Sequence, residues 1–372
     1  MTLTGAEDIR AQALEVAAGW SGPDAPPSWR LTAGLFRVIA GHSGLLGLLA
    51  GLPADRLPAL LASAAVTFLV RRDRPLPLAG YFPAPGRPQP PLDAGFGRAA
   101  EAFITGRLDE ILAVCRAHRY QMNEVARCAQ IAAGVTATAA GGPVGLVDLG
   151  TGAGLGLQLD RYRYDFGGQS AGPPDAPVSI RCEVRGGKAV PLAALPPVAA
   201  RAGIELDPVD LADPAAVEWL QACAPPEAGA CTRLTAAIAV ARAHPARIVA
   251  GDAVAALPGV LATFPPDLPV VVADAYLAVF LTPGRLRRLT AILGQAGQTR
   301  PVTWVSLDPL VPLGPSGRAS VQGLDVPARI VAEYQRKGVF AVLGSRRFDG
   351  TADHGALLAR AHPSGQWMEW LG

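Results

Sequence analysis

The residues best suited to chemistry lie in a glycine-rich turn that follows a short apolar run. The run extends from Val144 to Leu149 and includes Asp148. The turn itself contains Gly150, Thr151, Gly152 and Gly154. Glycine adopts positive φ without a steric penalty and lets a ligand approach the main chain closely. The pattern therefore predicts a ligand-binding turn at the carboxyl end of a strand, with a helix beginning soon afterwards.

The spacing of the glycines favours one class of ligand over another. A dinucleotide fingerprint reads G-x-G-x-x-G, and Leu155 stands where its third glycine would fall. The sequence instead reads apolar-Asp-apolar-G-x-G-x-G. A carboxylate just before the turn suits a ligand with a cationic amino group better than a pyrophosphate. We therefore expect no nicotinamide dinucleotide at this turn.

Three later apolar runs also end in acidic residues, namely Glu205, Asp252 and Asp274. A carboxylate at the end of the second strand of a nucleotide-binding α/β fold accepts hydrogen bonds from the ribose hydroxyls. We expect Glu205 to do so, and Asp252 to reach an adenine amino group. The fourth run would bring Asp274 and Tyr276 beside the reacting end of the ligand. Each acid alone is also a common helix cap or turn residue.

The predicted secondary structure around these residues changes near Gly142, from helices alone to alternating strands and helices. Residues 1–140 have apolar residues at helical spacing, which predicts a helical domain. From there on, short apolar runs alternate with amphipathic stretches, which is typical of βαβ units and a parallel sheet. We therefore predict an α/β protein with a helical substrate or lid domain (1–140) and a ligand-binding domain (141–372). We also expect an insertion at about 160–195 and a final antiparallel hairpin built from Ala356–Ala361 and Gln366–Leu371.

Over about residues 142 to 310, the order of these motifs resembles the class I S-adenosylmethionine-dependent methyltransferases. The resemblance implies a Rossmann-like sheet and S-adenosylmethionine as cofactor, with S-adenosylhomocysteine or methylthioadenosine as product. It implies that Glu205 is the ribose ligand and that Gly251-Asp252-Ala253 contacts adenine. The cofactor-binding residues are then Asp148, Gly150, Thr151, Gly152, Gly154, Glu205, Leu206, Asp207, Asp252, Ala253 and Asp274. One departure is that about 50 residues separate Gly154 from Glu205, where the family has a single helix.

Nearly the whole chain also resembles an actinobacterial domain-of-unknown-function family that is described as methyltransferase-like. The matching stretches are Asn123 to Arg127, Asp160 to Tyr164 and Gly203 to Asp210. This second resemblance implies a fold and a cofactor, but it implies no substrate.

Two segments are candidates for the substrate side of the site. The first contains Tyr120, Asn123, Glu124 and Arg127, in which the spacing of Asn123 and Arg127 predicts a shared helical face. The second contains Arg161, Tyr162 and Tyr164, where the rings would line a pocket and the guanidinium would bind a carboxylate. The alternatives are a capped helix start for the first segment and a buried ion pair with packed rings for the second. Glu124, Asp274 and Tyr276 are the candidate catalytic base or orienting groups.

Composition argues against several other classes of function. The formal net charge of +2 gives no electrostatic case for nucleic acid or an anionic membrane. The five cysteines form no CxxC pair, which argues against a zinc site or a disulfide framework. We expect a cytoplasmic monomer or homodimer without bound metal that acts on a small molecule. Methyl transfer, a different use of the same cofactor (aminocarboxypropyl transfer or cyclisation) and non-catalytic cofactor binding remain open alternatives.

Overall fold

The computed structural model describes residues 4–21, 27–73, 77–83, 90–139, 141–192, 194–224, 226, 228–309, 320–337 and 340–371. The helices are α1 (Ala6–Gly19), α2 (Pro27–Gly41), α3 (Ser43–Leu49), α4 (Pro58–Arg72), α5 (Ala94–Gly106), α6 (Leu108–Ala117), α7 (Arg127–Thr138), α8 (Pro214–Cys223), α9 (Ala228–Ala243), α10 (Ala253–Leu261), α11 (Pro283–Gly297) and α12 (Ala328–Lys337). The strands are β1 (Val144–Leu149), β2 (Arg163–Asp165), β3 (Ser170–Ala171), β4 (Ser179–Arg181), β5 (Glu183–Arg185), β6 (Val198–Glu205), β7 (Arg247–Ala250), β8 (Val270–Ala275), β9 (Val302–Pro309), β10 (Ser320–Val321), β11 (Leu324–Asp325), β12 (Ala341–Asp349), β13 (Ala352–Ala361) and β14 (Trp367–Trp370).

The chain divides into two compact units. The first comprises Met1–Asn123 and Ala212–Leu234, and the second comprises Glu124–Leu211 and Thr235–Gly372. Helix α7, which precedes residue 140, therefore belongs with the sheet, because it packs on β8, β9 and β12. Helix α8, although it follows β6 in the chain, belongs to the first unit, where it packs on α4.

The first unit is a helical assembly with its own apolar core. Leu35, Phe36 and Leu61 are wholly buried in it. The core extends to Trp219 of α8, whose indole N–H donates a hydrogen bond to the Arg119 carbonyl at 2.8 Å. Helical periodicity explains this core, since residues three and four apart share one face of each helix.

The second unit is an α/β structure built around a mixed, mostly parallel sheet. The sheet has nine strands in the order β5-β14-β13-β12-β9-β8-β1-β6-β7. Its parallel part, from β9 to β7, places β1 in the centre between β6 and β8. Val147, Val272 and Trp304 belong to one buried cluster on this part of the sheet. The carboxyl ends of these strands therefore meet at one edge, on either side of β1.

The remaining strands extend the sheet beyond β9. β13 and β14 pair antiparallel, which confirms the expected final hairpin. β5 then pairs parallel with β14, so a strand from the insertion covers that edge. The rest of the insertion forms a separate three-stranded sheet in the order β3-β2-β4.

Two findings concern membranes and metals. Among the described residues, no one helix is both long and apolar enough to cross a membrane, and the single pair that passes together, Trp29–Gly41 with Ser43–Leu49, is bent by 87°. In the same part of the chain, no three His, Cys, Asp or Glu side chains come together in a way that could hold a metal ion.

Candidate functional site

The glycine turn lies at the carboxyl end of the central strand β1. Gly150, Gly152 and Gly154 have φ values of +67°, +58° and +73°, a region that disfavours any residue with a side chain. Gly150 and Thr151 both donate their N–H groups to the Ile204 carbonyl, at 2.8 and 3.2 Å. The turn is thus tied to β6, and the alternating glycines are a requirement of its backbone rather than a bias in composition.

The side chain of Asp148 stabilises the turn by a hydrogen bond to one of its residues. Its Oδ2 accepts a hydrogen bond from the Thr151 hydroxyl at 2.6 Å. A Cβ at Gly156 would lie 2.5 Å from the same oxygen, so only glycine fits there. Removal of the carboxyl group from water raises the pKa of Asp148 to about 7, although the bond from Thr151 opposes this rise.

The segment after the turn differs from the expected α-helix. Gly156–Arg161 forms a short 3₁₀ helix. The chain then leaves for the insertion, where the Tyr162 hydroxyl donates to the Leu155 carbonyl at 2.8 Å. This bond holds the start of the insertion close to the glycine turn.

Glu205 lies beside the glycine turn at the end of β6. Its Oε2 accepts a hydrogen bond from the Gly152 N–H at 2.8 Å. Its Oε1 accepts from the N–H groups of Leu206 and Asp207, at 2.8 and 3.3 Å. Leu206 is 60% exposed, and Asp207 is also exposed. A carboxylate and an apolar side chain thus flank the turn on one side.

Asp252 follows β7 and caps helix α10. Its Oδ1 accepts hydrogen bonds from the N–H groups of Val254 and Ala255, at 3.1 and 3.0 Å. Its Oδ2 pairs with the guanidinium of Arg285. Ala253 begins α10. The carboxylate is therefore engaged as a cap and an ion pair, which is the structural role that an Asp in this position commonly has.

Asp274, at the end of β8, is 1% exposed and takes part in a buried polar chain. Its Oδ2 accepts from the Trp304 indole at 2.7 Å, and its Oδ1 lies 3.1 Å from the Ser306 hydroxyl. The same hydroxyl lies 2.5 Å from Oδ2 of Asp308, which sequence reasoning missed. Every second residue of β9 lies on the same face, and this face contains Trp304, Ser306 and Asp308. This alternation is a sequence signal that could have indicated Asp308.

Burial controls the ionisation of both carboxyl groups. Burial, followed by the nearby charge of Asp308, holds the pKa of Asp274 well above its usual range. Burial also raises the pKa of Asp308 to about 6, while hydrogen bonds from Ser306 and from the Val279 N–H oppose the rise.

Tyr276 lies two residues beyond Asp274 in a left-handed backbone conformation, with φ of +68°. The guanidinium carbon of Arg127 lies 4.0 Å from the centre of its ring, a cation–π contact. Arg127 also donates through Nε to the Pro363 carbonyl at 2.6 Å. The Tyr276 hydroxyl oxygen is buried and has no hydrogen-bond partner among the described residues. An unsatisfied buried hydroxyl costs about 1–3 kcal/mol, so a polar ligand atom would stabilise it.

The first substrate segment does not form the predicted helical face. Helix α7 begins only at Arg127, so Asn123 and Arg127 do not share a face of one helix. The Glu124 carboxylate accepts from the Ala126 N–H at 3.0 Å, and this turn sets the later start of the helix. Tyr120 and Asn123 belong to the first unit, where the Tyr120 hydroxyl is 3.4 Å from the Cys223 carbonyl.

The second substrate segment is a packed core rather than a pocket lining. Tyr162 and Tyr164 are both 0% exposed. The Tyr164 hydroxyl donates to the Leu159 carbonyl at 2.5 Å, and Arg161 donates to the Gln158 side chain at 3.1 Å. The prediction that these rings line a pocket is therefore wrong, because their hydroxyls are needed by buried carbonyl groups.

Comparison with known proteins gives a family but no activity. No curated protein matches the chain. A family model described as "uncharacterized protein conserved in bacteria" matches residues 17–370, almost the full length. By this match, the chain belongs to that bacterial family, DUF2332.

Proposed function

We propose that this protein is an S-adenosylmethionine-dependent transferase that methylates a small molecule by in-line displacement. The observation that carries the proposal is the contact between Gly152 N–H and Glu205 Oε2 at 2.8 Å. It brings a carboxylate against a positive-φ glycine turn at the carboxyl edge of a parallel sheet. Ligands of open α/β sheets bind at this edge, where the strand order reverses beside the first strand.

The side of the turn next to β6 suits an adenosine group. Glu205 has two oxygens that can exchange backbone N–H donors for the two ribose hydroxyls. The exposed side chain of Leu206 offers an apolar surface to a purine ring. These features support a nucleoside with free ribose hydroxyls.

The side of the turn next to β8 suits the cationic end of the cofactor. Asp148 lies beneath the turn with a pKa of about 7, and a nearby ammonium group would favour its ionised form. Asp274 pairs with Leu149 in the strand register, one residue before Gly150. Acidic groups thus lie under and beside the turn, where the amino-acid and sulfonium parts would be held.

The chemistry itself requires little more than alignment. The sulfonium supplies an activated methyl group when the cofactor is bound. The protein then aligns the acceptor with that methyl group and accepts a proton from the acceptor. Incubation with S-adenosylmethionine alone distinguishes other chemistries, since cyclisation releases methylthioadenosine without an acceptor. Binding without turnover of any acceptor would instead favour a non-catalytic role.

Calorimetric titration with S-adenosylhomocysteine tests the proposed site. We expect micromolar binding by the wild type and at least about tenfold weaker binding by Gly152→Ala, because a side chain strains the turn. Gly350→Ala is the matched control, since Gly350 has φ of +59° in the β12–β13 turn and open space around it. Binding that is absent in the wild type, or equally affected by both variants, would overturn the proposal.

A further inference from the structure

Asp274, Ser306 and Asp308 form a buried chain of two carboxyl groups bridged by one hydroxyl. Ser306 has a single hydroxyl proton, which two acceptors can share only in a three-centre bond, and its Oγ lies 3.1 Å from Asp274 Oδ1 and 2.5 Å from Asp308 Oδ2. Both contacts are full hydrogen bonds when one carboxyl group is protonated and donates to Ser306, and burial of the two neighbouring acids favours this arrangement. The chain is therefore a protonated carboxyl, a hydroxyl and a carboxylate, with a net charge of −1.

The environment decides which acid holds the proton. Asp274 is the more deeply placed group, and burial together with the charge of Asp308 keeps its pKa well above the usual range. Asp308 accepts the Val279 N–H through Oδ1 and Ser306 through Oδ2, and Asp274 accepts the Trp304 indole through Oδ2, so the deeper burial of Asp274 decides between the two acids. We therefore assign the proton to Asp274 and the negative charge to Asp308.

The position of this pair relates it to the proposed cofactor site. β8 lies next to β1, and the register pairs Asp274 with Leu149, immediately before the glycine turn. Neighbouring strands are about 4.8 Å apart, so Asp274 on β8 lies one strand from β1, and Asp308 on β9 lies two strands from it. A Cβ on Gly150 would lie 3.3 Å from the Leu277 side chain, which shows that the segment after β8 reaches over the turn.

A second observation points to a ligand at the same place. The buried hydroxyl of Tyr276 has no partner among the residues that the structure describes. Its backbone N–H donates to the Leu307 carbonyl at 2.8 Å, which brings Tyr276 next to Asp308. The other groups that act on Tyr276 are the Arg127 guanidinium over its ring and Tyr334 of α12. A buried hydroxyl without a partner, on the segment whose backbone is bonded to the end of β9, suits a polar atom supplied by a ligand.

We infer that Asp308, through its proton-bridged pair with Asp274, is the counter-charge of the sulfonium and the acceptor of the proton released by group transfer. This inference rests on the proposed function. In the step, the bond from the acceptor nucleophile to the methyl carbon forms, and the carbon–sulfur bond breaks, its electron pair remaining on sulfur. The proton of the nucleophile passes to the Asp308 carboxylate. Before transfer, the carboxyl pair has a charge of −1 and the sulfonium a charge of +1. After transfer, the pair is neutral and the sulfur is an uncharged thioether, so no net charge is left buried.

The test compares two ligands that differ in the charge on sulfur. We would measure dissociation constants of S-adenosylmethionine and S-adenosylhomocysteine between pH 5 and 7 and take their ratio, which cancels the effect of groups that contact the parts common to both. As pH falls through the pKa of Asp308, near 6, protonation removes the counter-charge. The affinity for S-adenosylmethionine should then fall relative to its product, approaching about tenfold per pH unit.

Variants assign the effect to the pair. Asp308→Asn keeps the shape of the side chain and should make the ratio independent of pH, with S-adenosylhomocysteine affinity nearly unchanged. Asp353→Asn is the matched control, because Asp353 pairs with Arg346 on another part of the sheet, and it should keep the wild-type pH dependence. A ratio that does not vary with pH in the wild type, or that varies equally in Asp308→Asn, would overturn the inference while leaving the proposed function intact. Failure of both ligands to bind would instead overturn the proposed function.

Discussion

The carboxylate of Glu205 accepts a hydrogen bond from the backbone N–H of Gly152 at 2.8 Å. This contact joins the carboxyl ends of two neighbouring strands, β1 and β6, across a turn that only glycine can form. It brings together two features that are 53 residues apart in the chain.

Glu205→Gln should weaken S-adenosylhomocysteine binding by at least about tenfold, or about 1.4 kcal/mol. An amide has a single oxygen to accept hydrogen bonds, whereas the carboxylate has two, and charged acceptors form stronger bonds. Titration calorimetry measures the change. Glu183→Gln is the control, because Glu183 lies on β5 in an exposed ion pair with Arg185. Unchanged affinity in Glu205→Gln would mean that Glu205 only caps the turn.

Gly156→Ala should destabilise the second unit by about 1–3 kcal/mol, since the new methyl group would lie 2.5 Å from Asp148 Oδ2. Urea denaturation gives the free energy of unfolding. Gly187→Ala, where nothing lies within 4 Å of the added atom, should change stability little. Equal stability of the two variants would contradict the close contact between Gly156 and Asp148.

Asp148 should make stability depend on pH. Its pKa rises from 3.8 unfolded to about 7 folded, so its contribution is fully present below pH 4 and is lost as pH rises through 7. The free energy of unfolding should fall by up to about 1.4 kcal/mol per pH unit between these limits. Asp148→Asn should make this slope shallower by up to about 1.4 kcal/mol per pH unit when unfolding is measured from pH 4 to 8, while the raised pKa values of Asp274 and Asp308 keep a residual slope. A slope equal to that of the wild type would contradict the raised pKa of Asp148.

Tyr276→Phe should leave stability unchanged or raise it by up to about 1 kcal/mol, because the hydroxyl it removes has no partner. Tyr162→Phe should lower stability by about 1–3 kcal/mol, since its hydroxyl satisfies the buried Leu155 carbonyl at 2.8 Å. Denaturation of the two variants side by side measures the difference. A loss of stability in Tyr276→Phe as large as in Tyr162→Phe would show that its hydroxyl is bonded.

Much of the fold follows from local patterns. The run Val144–Leu149 coincides with β1, because its apolar pattern is a local signal. The start of α8 at Pro214 is also a local signal, since proline is common in the first turn of a helix. The helix α10 escaped prediction, since Pro258 interrupts its pattern. The assignment of α7 and α8 to units also escaped it, because packing partners far apart in the chain decide it.

In the candidate site too, features set by the local backbone were predictable, and features set by distant contacts were not. The glycines at 150, 152 and 154 were predictable, because positive φ is a demand of the backbone itself. The burial of Tyr162 and Tyr164 was not, because it depends on carbonyl groups that the insertion encloses. Asp308 was missed because its importance comes from sharing Ser306 with Asp274, an acid on another strand.

Hydrogen–deuterium exchange of the full chain with saturating S-adenosylhomocysteine tests the central claim most directly, because it shows where the ligand binds. We predict slower exchange in peptides that cover residues 145–156 and 203–207, which carry the glycine turn and Glu205, with no change in α1. Unchanged exchange in both segments at a ligand concentration that saturates the calorimetric signal, or no response anywhere in the chain, would contradict the assignment of this turn as the cofactor site.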